Sequence, residues 1–449
     1  MTSGEVDLGR VLPVWSVLPF ALLLGCIALL PLKAPHFWES NRNKALVSGA
    51  LSVVFAGALV ATYGGAATAE LTHAMLDFAS FHCLLGALFT ISGGVYVRGS
   101  LDGTPLGNTM LLALGAVLAN LIGTTGASMV LIRPFLRANR RRLSKTHLVV
   151  FFIFVVSNTA GLLTPLGDPP LFLGFLKGVP FEWTLRLWKE WLLVVGLLLV
   201  VFNLLDQKIF QREEALLPGS QLEEAMQHEP IGVSGWRNLW LLGGVVAIVL
   251  AKGQGWFNGG EVWAFGPQEV GLIALGVTSV QITPKDIHAR NGFGFGPIIE
   301  VAVLFLGIFV TMIAPLKLLN THGGELGLTA PAQFFWASGL LSSFLDNAPT
   351  YLTFAAAAAG NAGINASGAR YLGDFLASGP AAELILAAIS CGSVFMGANT
   401  YIGNGPNFMV KAIAEQQKAN TPSFMGYILK FSLPILLPIW LVVWLLFFR

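Results

Sequence analysis

The chain has 449 residues, of which 55% are hydrophobic and only 11% charged. A soluble protein of this size needs far more charged surface, so the composition excludes a soluble globular fold and describes an all-α polytopic membrane protein. The formal net charge of +2, with no basic stripe interleaved with aromatics, argues against a nucleic-acid partner and leaves the lipid bilayer as the surrounding medium.

In chain order, Glu5 and Asp7 precede the first apolar run with only Arg10 beside them. That run lacks the basic leader of a cleaved signal and reads as a retained helix. Runs at 12–31, 43–63 and 77–97 read as three membrane helices. The next apolar region, 104–136, is too long for one crossing and is interrupted by Asn120, Thr124, Thr125 and Ser128; it reads as a hairpin that enters the membrane and turns back. Region 147–177 carries Asn158-Thr159-Ala-Gly161-Leu-Leu-Thr164-Pro165-Leu-Gly167-Asp168-Pro-Pro170, helix breakers inside an apolar run, and reads as a broken helix. A further helix at 190–206 closes this half.

A polar linker, 208–235, holds Glu213, Glu214, Glu223 and Glu224. Helices at 237–254, 268–282 and 297–318 follow, then a second over-long region, 331–359, broken by Ser342-Ser-Phe-Leu-Asp346-Asn347-Ala-Pro349. A second broken helix, 380–413, carries Gly397-Ala-Asn399-Thr400-Tyr-Ile-Gly403-Asn404-Gly-Pro406-Asn407, and 425–448 ends the series. Cys26, Cys83 and Cys391 sit apart in apolar segments and read as small buried hydrophobes.

The order of parts repeats at an offset of about 220–236 residues. Residues 1–207 and 236–449 therefore read as two repeats, together about ten transmembrane helices, two of them broken, plus two re-entrant hairpins. Five crossings per half place the second copy upside down, the inverted architecture that suits alternating access. The basic loop Arg137, Arg140, Arg141, Arg142 and Lys145 belongs in the cytoplasm by the positive-inside rule, which puts both termini outside.

Ionisable groups deep in a bilayer are expensive and usually functional. If each broken helix approaches its own hairpin, Asp168 meets Asn120, Thr124 and Thr125, while Asp346 meets Asn399, Thr400, Asn404 and Asn407. Carbonyls, hydroxyls and amide oxygens are hard ligands suited to Na⁺, and a desolvated carboxylate lets a proton and a metal cation compete for one place. Half-helix N-termini and Asn or Thr donors can alternatively hold an anion. Plainer roles exist for each: Asp168 as a helix N-cap, Asp346 as a turn residue, and the Asn and Thr set as partners for unwound backbone. Gly161, Pro165, Gly167, Pro170, Gly397, Gly403 and Pro406 are the expected hinges. Glu300 and Glu383 read as helix-dipole partners, Arg133 as a residue snorkelling to the interface, and Trp183, Trp188, Trp191 and Trp236 as interfacial anchors.

With these residues in view, the chain resembles the ion transporter superfamily of NhaD-type Na⁺/H⁺ antiporters, arsenite pumps and citrate or dicarboxylate carriers. Thr164-Pro-Leu-Gly-Asp168 is similar to the Ser/Thr-Pro-Ile-Gly-Asp element of NhaD antiporters, and Leu345-Asp346-Asn347-Ala-Pro349 to their Val-Asp-Asn-Ile-Pro element. Ser157-Asn158-Thr159 is similar to the Ser-Asn-Thr signature of dicarboxylate carriers, although the second copy reads Ala398-Asn399-Thr400. Gly403-Asn404-Gly-Pro406-Asn407 looks more like the citrate and arsenite branches. The resemblance implies a homodimer in a bacterial inner membrane, with Asp168, Asp346 and Asn347 as ion-site residues.

The reading drawn from all of this is a secondary transporter without a cofactor, first a Na⁺(Li⁺)/H⁺ antiporter. The alternative is a cation- or proton-coupled carrier of citrate or another small carboxylate. An intramembrane aspartyl protease is disfavoured by Pro165 where its Gly-x-Gly-Asp element needs Gly, and ATP-driven transport by the lack of a phosphate-binding Gly-x-x-x-x-Gly-Lys-Ser/Thr loop.

Overall fold

The computed structural model describes residues 8–38, 40–98, 103–215, 232–260, 263–291, 293–322, 325, 327–364 and 370–449. Helices α1 (Leu18–Lys33), α2 (Asn41–Tyr63) and α3 (Gly65–Gly93) lead into α4 (Pro105–Ala138). The half-helices α5 (Thr146–Val155) and α6 (Pro169–Leu176) precede α7 (Trp188–Glu214). The second run comprises α8 (Arg237–Gly253), α9 (Pro267–Ile282), α10 (Gly296–Thr311) and α11 (Ile313–His322). It continues with α12 (Pro331–Ser342), α13 (Asn347–Asn361), the half-helices α14 (Pro380–Met396) and α15 (Gly405–Gln416), and the helical stretch α16 (Phe424–Phe448). Many of these start with Pro in the first turn, where its missing N–H has no helical partner to lose.

Among the described residues, seven helices are long and apolar enough to cross a membrane, and the chain is a multi-pass membrane protein. One of the seven, α4, folds back on itself. Gly123 has φ +80° and ψ 155°, a conformation that favours glycine, and it splits the element into two arms. Asn108 and Asn139 exchange hydrogen bonds of 2.9 and 2.6 Å. A straight helix would hold them about 46 Å apart. Helices α12 and α13 make the corresponding hairpin, closed at its base by Asn361 Nδ2 donating to the Leu328 carbonyl at 2.8 Å.

The half-helices lie at the centre. Leu148 to Val156 are at most 1% exposed, so α5 is apolar on every face, as a helix surrounded by protein should be. At the periphery α2 presents Val53 (72% exposed) and Val54 (71%) outward, an apolar face for lipid rather than water. Helices α12 and α14 pack without room between them: a Cβ on Gly392 would meet the Phe335 carbonyl at 2.5 Å. Small residues at such contacts let membrane helices approach closely.

Outside the helices, strands β1 (Tyr96–Arg98) and β2 (Gly232–Ser234) pair antiparallel, with Tyr96 opposite Ser234. The segment expected to be a polar linker from 208 begins as helix, because α7 runs on to Glu214. Residues 216–231, including Glu223 and Glu224, lie outside the described residues.

Candidate functional site: the crossing of two broken helices

Both broken helices come apart in the same way. After α5 a single 3₁₀ turn, Thr159–Leu162, leads into an unwound strand of backbone before α6; after α14 the turn is Gly397–Asn399. In the first break Thr164 Oγ1 donates to the Asn120 carbonyl at 2.6 Å, and in the second Thr400 Oγ1 donates to the Ser343 carbonyl. A Cβ on Gly167 would overlap the Gly161 carbonyl, and one on Gly403 the Gly397 carbonyl. Each unwound loop therefore doubles back on itself through a pair of glycines, and each is held to the tip of a hairpin by a threonine.

Asp168 occupies the position before α6 yet makes no side-chain cap to that helix. Its carboxylate turns instead to three donors. Thr124 Oγ1 reaches Oδ1 at 2.8 Å, Asn404 Nδ2 reaches Oδ1 at 3.2 Å and Asn347 Nδ2 reaches Oδ2 at 2.8 Å. The side chain is 1% exposed. Burying a carboxylate costs several kcal/mol, which hydrogen bonds to a charged group, worth about 1.5–3 kcal/mol each, can offset. All three donors are neutral, so the ionised group attracts a proton or a cation.

Thr124 comes from the first hairpin, as expected, but Asn347 and Asn404 come from the second hairpin and the second break. The site thus joins the two halves, which the sequence reading had kept apart. A second bond across the halves runs beside it, from Asn158 Nδ2 to Asn407 Oδ1 at 2.6 Å. The Asn158 Oδ1 acceptor is buried with no hydrogen-bond partner among the described residues.

A cavity of about 130 Å³ adjoins the carboxylate, lined by Gly123, Thr124, Thr125, Gly167 and Asp168 on one side and by Leu84, Leu88, Val245 and Val249 on the other. It lies well below the roughly 300–1,000 Å³ of ordinary ligand pockets. An ion or a compact anion fits this size, and anything larger requires the helices to move.

The remaining sequence-derived residues separate by role. Asp346 is half-buried, against the backbone amides of Asn347 and Gly405 at the start of α15, and its charge also acts on Asp168. Asn120 accepts from the Leu163 amide at 2.9 Å, and Thr159 donates to the Phe154 carbonyl at 2.9 Å. Asn399 donates to Ser343 Oγ at 2.9 Å and accepts from Trp440 Nε1 at 2.9 Å, and Asn407 Nδ2 holds the Gly397 and Thr400 carbonyls. These groups satisfy unwound backbone that has no water to turn to. Pro170 and Pro406 stand in the first turns of α6 and α15, and Pro165 lines the cavity.

One side chain important here was not singled out from sequence, and others take roles different from those expected. Ser342 Oγ, 2.6 Å from both Asn347 Oδ1 and the Ser393 carbonyl, orients the amide that reaches Asp168. Trp191, expected at the interface, donates to the Ala160 carbonyl at 2.8 Å, and Trp183 is only 5% exposed; Trp188 and Trp236 do face outward. Glu300 pairs with Lys44 at 2.6 Å, where a helix-dipole role was expected; Glu383 does stand in the first turn of α14, as expected, and also pairs with Arg186 at 3.0 Å. Arg142, expected in an open basic loop, is 7% exposed and pairs at 2.6 Å with both Asp206 and Glu213. Arg133 does not snorkel: it is 1% exposed.

No curated protein matches the chain. Residues 9–448 match a protein family, CitMHS_2, described as “Putative citrate transport”, and over that span the chain belongs to this family of transporters.

Proposed function

We propose that the protein carries citrate or a similar small carboxylate across the membrane by alternating access, coupled to a proton or a small cation held at Asp168. The observation that carries this reading is the crossing itself. Two unwound helix segments and two hairpin tips converge on one buried carboxylate with neutral donors. Unwound segments at membrane depth are tolerated where they line a binding site, and half-helix N-termini such as those of α6 and α15 favour an anion nearby. The recurrence of the same contacts at Thr164 and Thr400, and at Gly167 and Gly403, supports two inverted repeats that rock about a shared centre.

The family match favours the carboxylate carrier over cation–proton exchange as the primary activity.

The test is flux in proteoliposomes carrying a pH dye, with Na⁺, Li⁺, K⁺ or citrate added in turn. Citrate-dependent proton or cation movement, lost in Asp168→Asn, supports the carrier. A Na⁺- or Li⁺-driven proton flux that needs no citrate would instead make this protein an antiporter.

A further inference from the structure

Arg133 lies on the returning arm of the first hairpin, nine positions beyond Thr124, or about 14 Å along a helix. Its side chain is 1% exposed, and Nε, Nη1 and Nη2 are all buried with no hydrogen-bond partner among the described residues. Its guanidinium sits 4.9 Å from the ring centre of Phe89 and 5.7 Å from that of Phe293. The charged neighbour that acts on it most is Arg137, of the same sign.

His288, on the short helix Lys285–Arg290, packs against Phe293 with ring centres 4.7 Å apart. Both of its ring nitrogens are also buried without a partner among the described residues. Burial first, and the charge of Arg133 second, push this imidazole below its usual range. Four donor nitrogens in one place, three of Arg133 and one of the neutral His288 ring, thus lack acceptors. An uncompensated buried guanidinium costs several kcal/mol, and an aromatic face returns about 2 kcal/mol of that without supplying a hydrogen-bond acceptor. A fold that keeps such a group keeps it for an acceptor that comes and goes.

We infer that Arg133 and His288 form an anion station that takes a carboxylate group of a small organic anion, on the side of the membrane where the Arg137–Lys145 loop lies. The fork of the guanidinium suits the two oxygens of a carboxylate, and the planar walls of Phe89 and Phe293 hold it in orientation. The station deepens the carrier reading and rests on it for the identity of the anion: a carboxylate waits here on its way to or from Asp168.

The experiment uses the purified full chain in detergent and titrates citrate, at constant ionic strength set with chloride, while following the thermal unfolding midpoint. In wild type, citrate should raise the midpoint in a saturable way. Arg133→Gln should shift half-saturation upward about tenfold or more, and Arg133→Lys, which keeps the charge but loses the fork, should fall between. Without citrate, Arg133→Gln should unfold at a higher temperature than wild type, because an unpaired buried charge has gone. Equal citrate stabilisation in wild type and Arg133→Gln would overturn the station. So would no citrate stabilisation of wild type, or an Arg133→Gln protein less stable than wild type without citrate. Citrate flux in proteoliposomes judges the carrier reading separately: binding that depends on Arg133 without flux upholds the station and sinks the carrier.

Discussion

The two breaks share a backbone and differ in charge. Position for position, Thr164 answers to Thr400, Gly161 and Gly167 to Gly397 and Gly403, and the loops close through the same hydroxyl-to-carbonyl bond. Yet where the first break has Asp168, the second has Asn404, and where the first hairpin has Thr124, the second has Asn347. The second half gives its amides to the carboxylate of the first. The two breaks thus share their backbone contacts, while the carboxylate with three side-chain donors belongs to the first of them alone.

That contrast can be broken most severely at its charged member. Asp168→Asn should abolish coupled flux while leaving folded protein, whereas Asn404→Ala, which removes one of three donors, should leave measurable flux; equal losses at the two positions would mean the centre is not built on one carboxylate. Next come the glycine pairs. Gly167→Ala and Gly403→Ala each force a methyl group onto a carbonyl, and each should lower thermal stability by about 1–3 kcal/mol with flux lost in parallel. A large difference between them would show that the loops bear unequal loads.

Asn347→Ala removes a charge-assisted bond that stabilises the ionised Asp168, worth about 1.5–3 kcal/mol, and should lower the half-saturating concentration of the coupling ion about tenfold or more. Ser342→Ala, which only orients that amide, should give the same direction with a smaller size. The smallest effect belongs to Thr164→Val, which loses one bond to backbone, about 1 kcal/mol; Thr400→Val also strips the Ile402 and Gly403 amides of their acceptor and should melt lower.

Much of this arrangement was legible from residue order, because it is written in local chemistry. Gly, Pro and bare polar residues inside apolar runs marked both breaks and both hairpin tips, and Thr124 beside Asp168 followed from packing a break against its neighbouring hairpin. What escaped was pairing at long range. The Asn347 bond to Asp168 spans 179 positions and the Asn158 bond to Asn407 spans 249, and no periodicity encodes either. Arg133 was misplaced for a related reason: its distance from the basic loop suggested reach to the interface, but α3 and the segment around Phe293 close over it. Arg142 was absorbed in the same way by Asp206 and Glu213 of α7.

The bonds between the halves also govern how the protein is made. When the first half enters the membrane, Asp168 has Thr124 but neither Asn347 nor Asn404, since these lie 179 and 236 positions further along the chain. Helix α5, apolar on every face, has not yet acquired the wall of protein that later surrounds it. Taken alone, the first half would leave Asp168 with one donor of three, and the second half completes its shell.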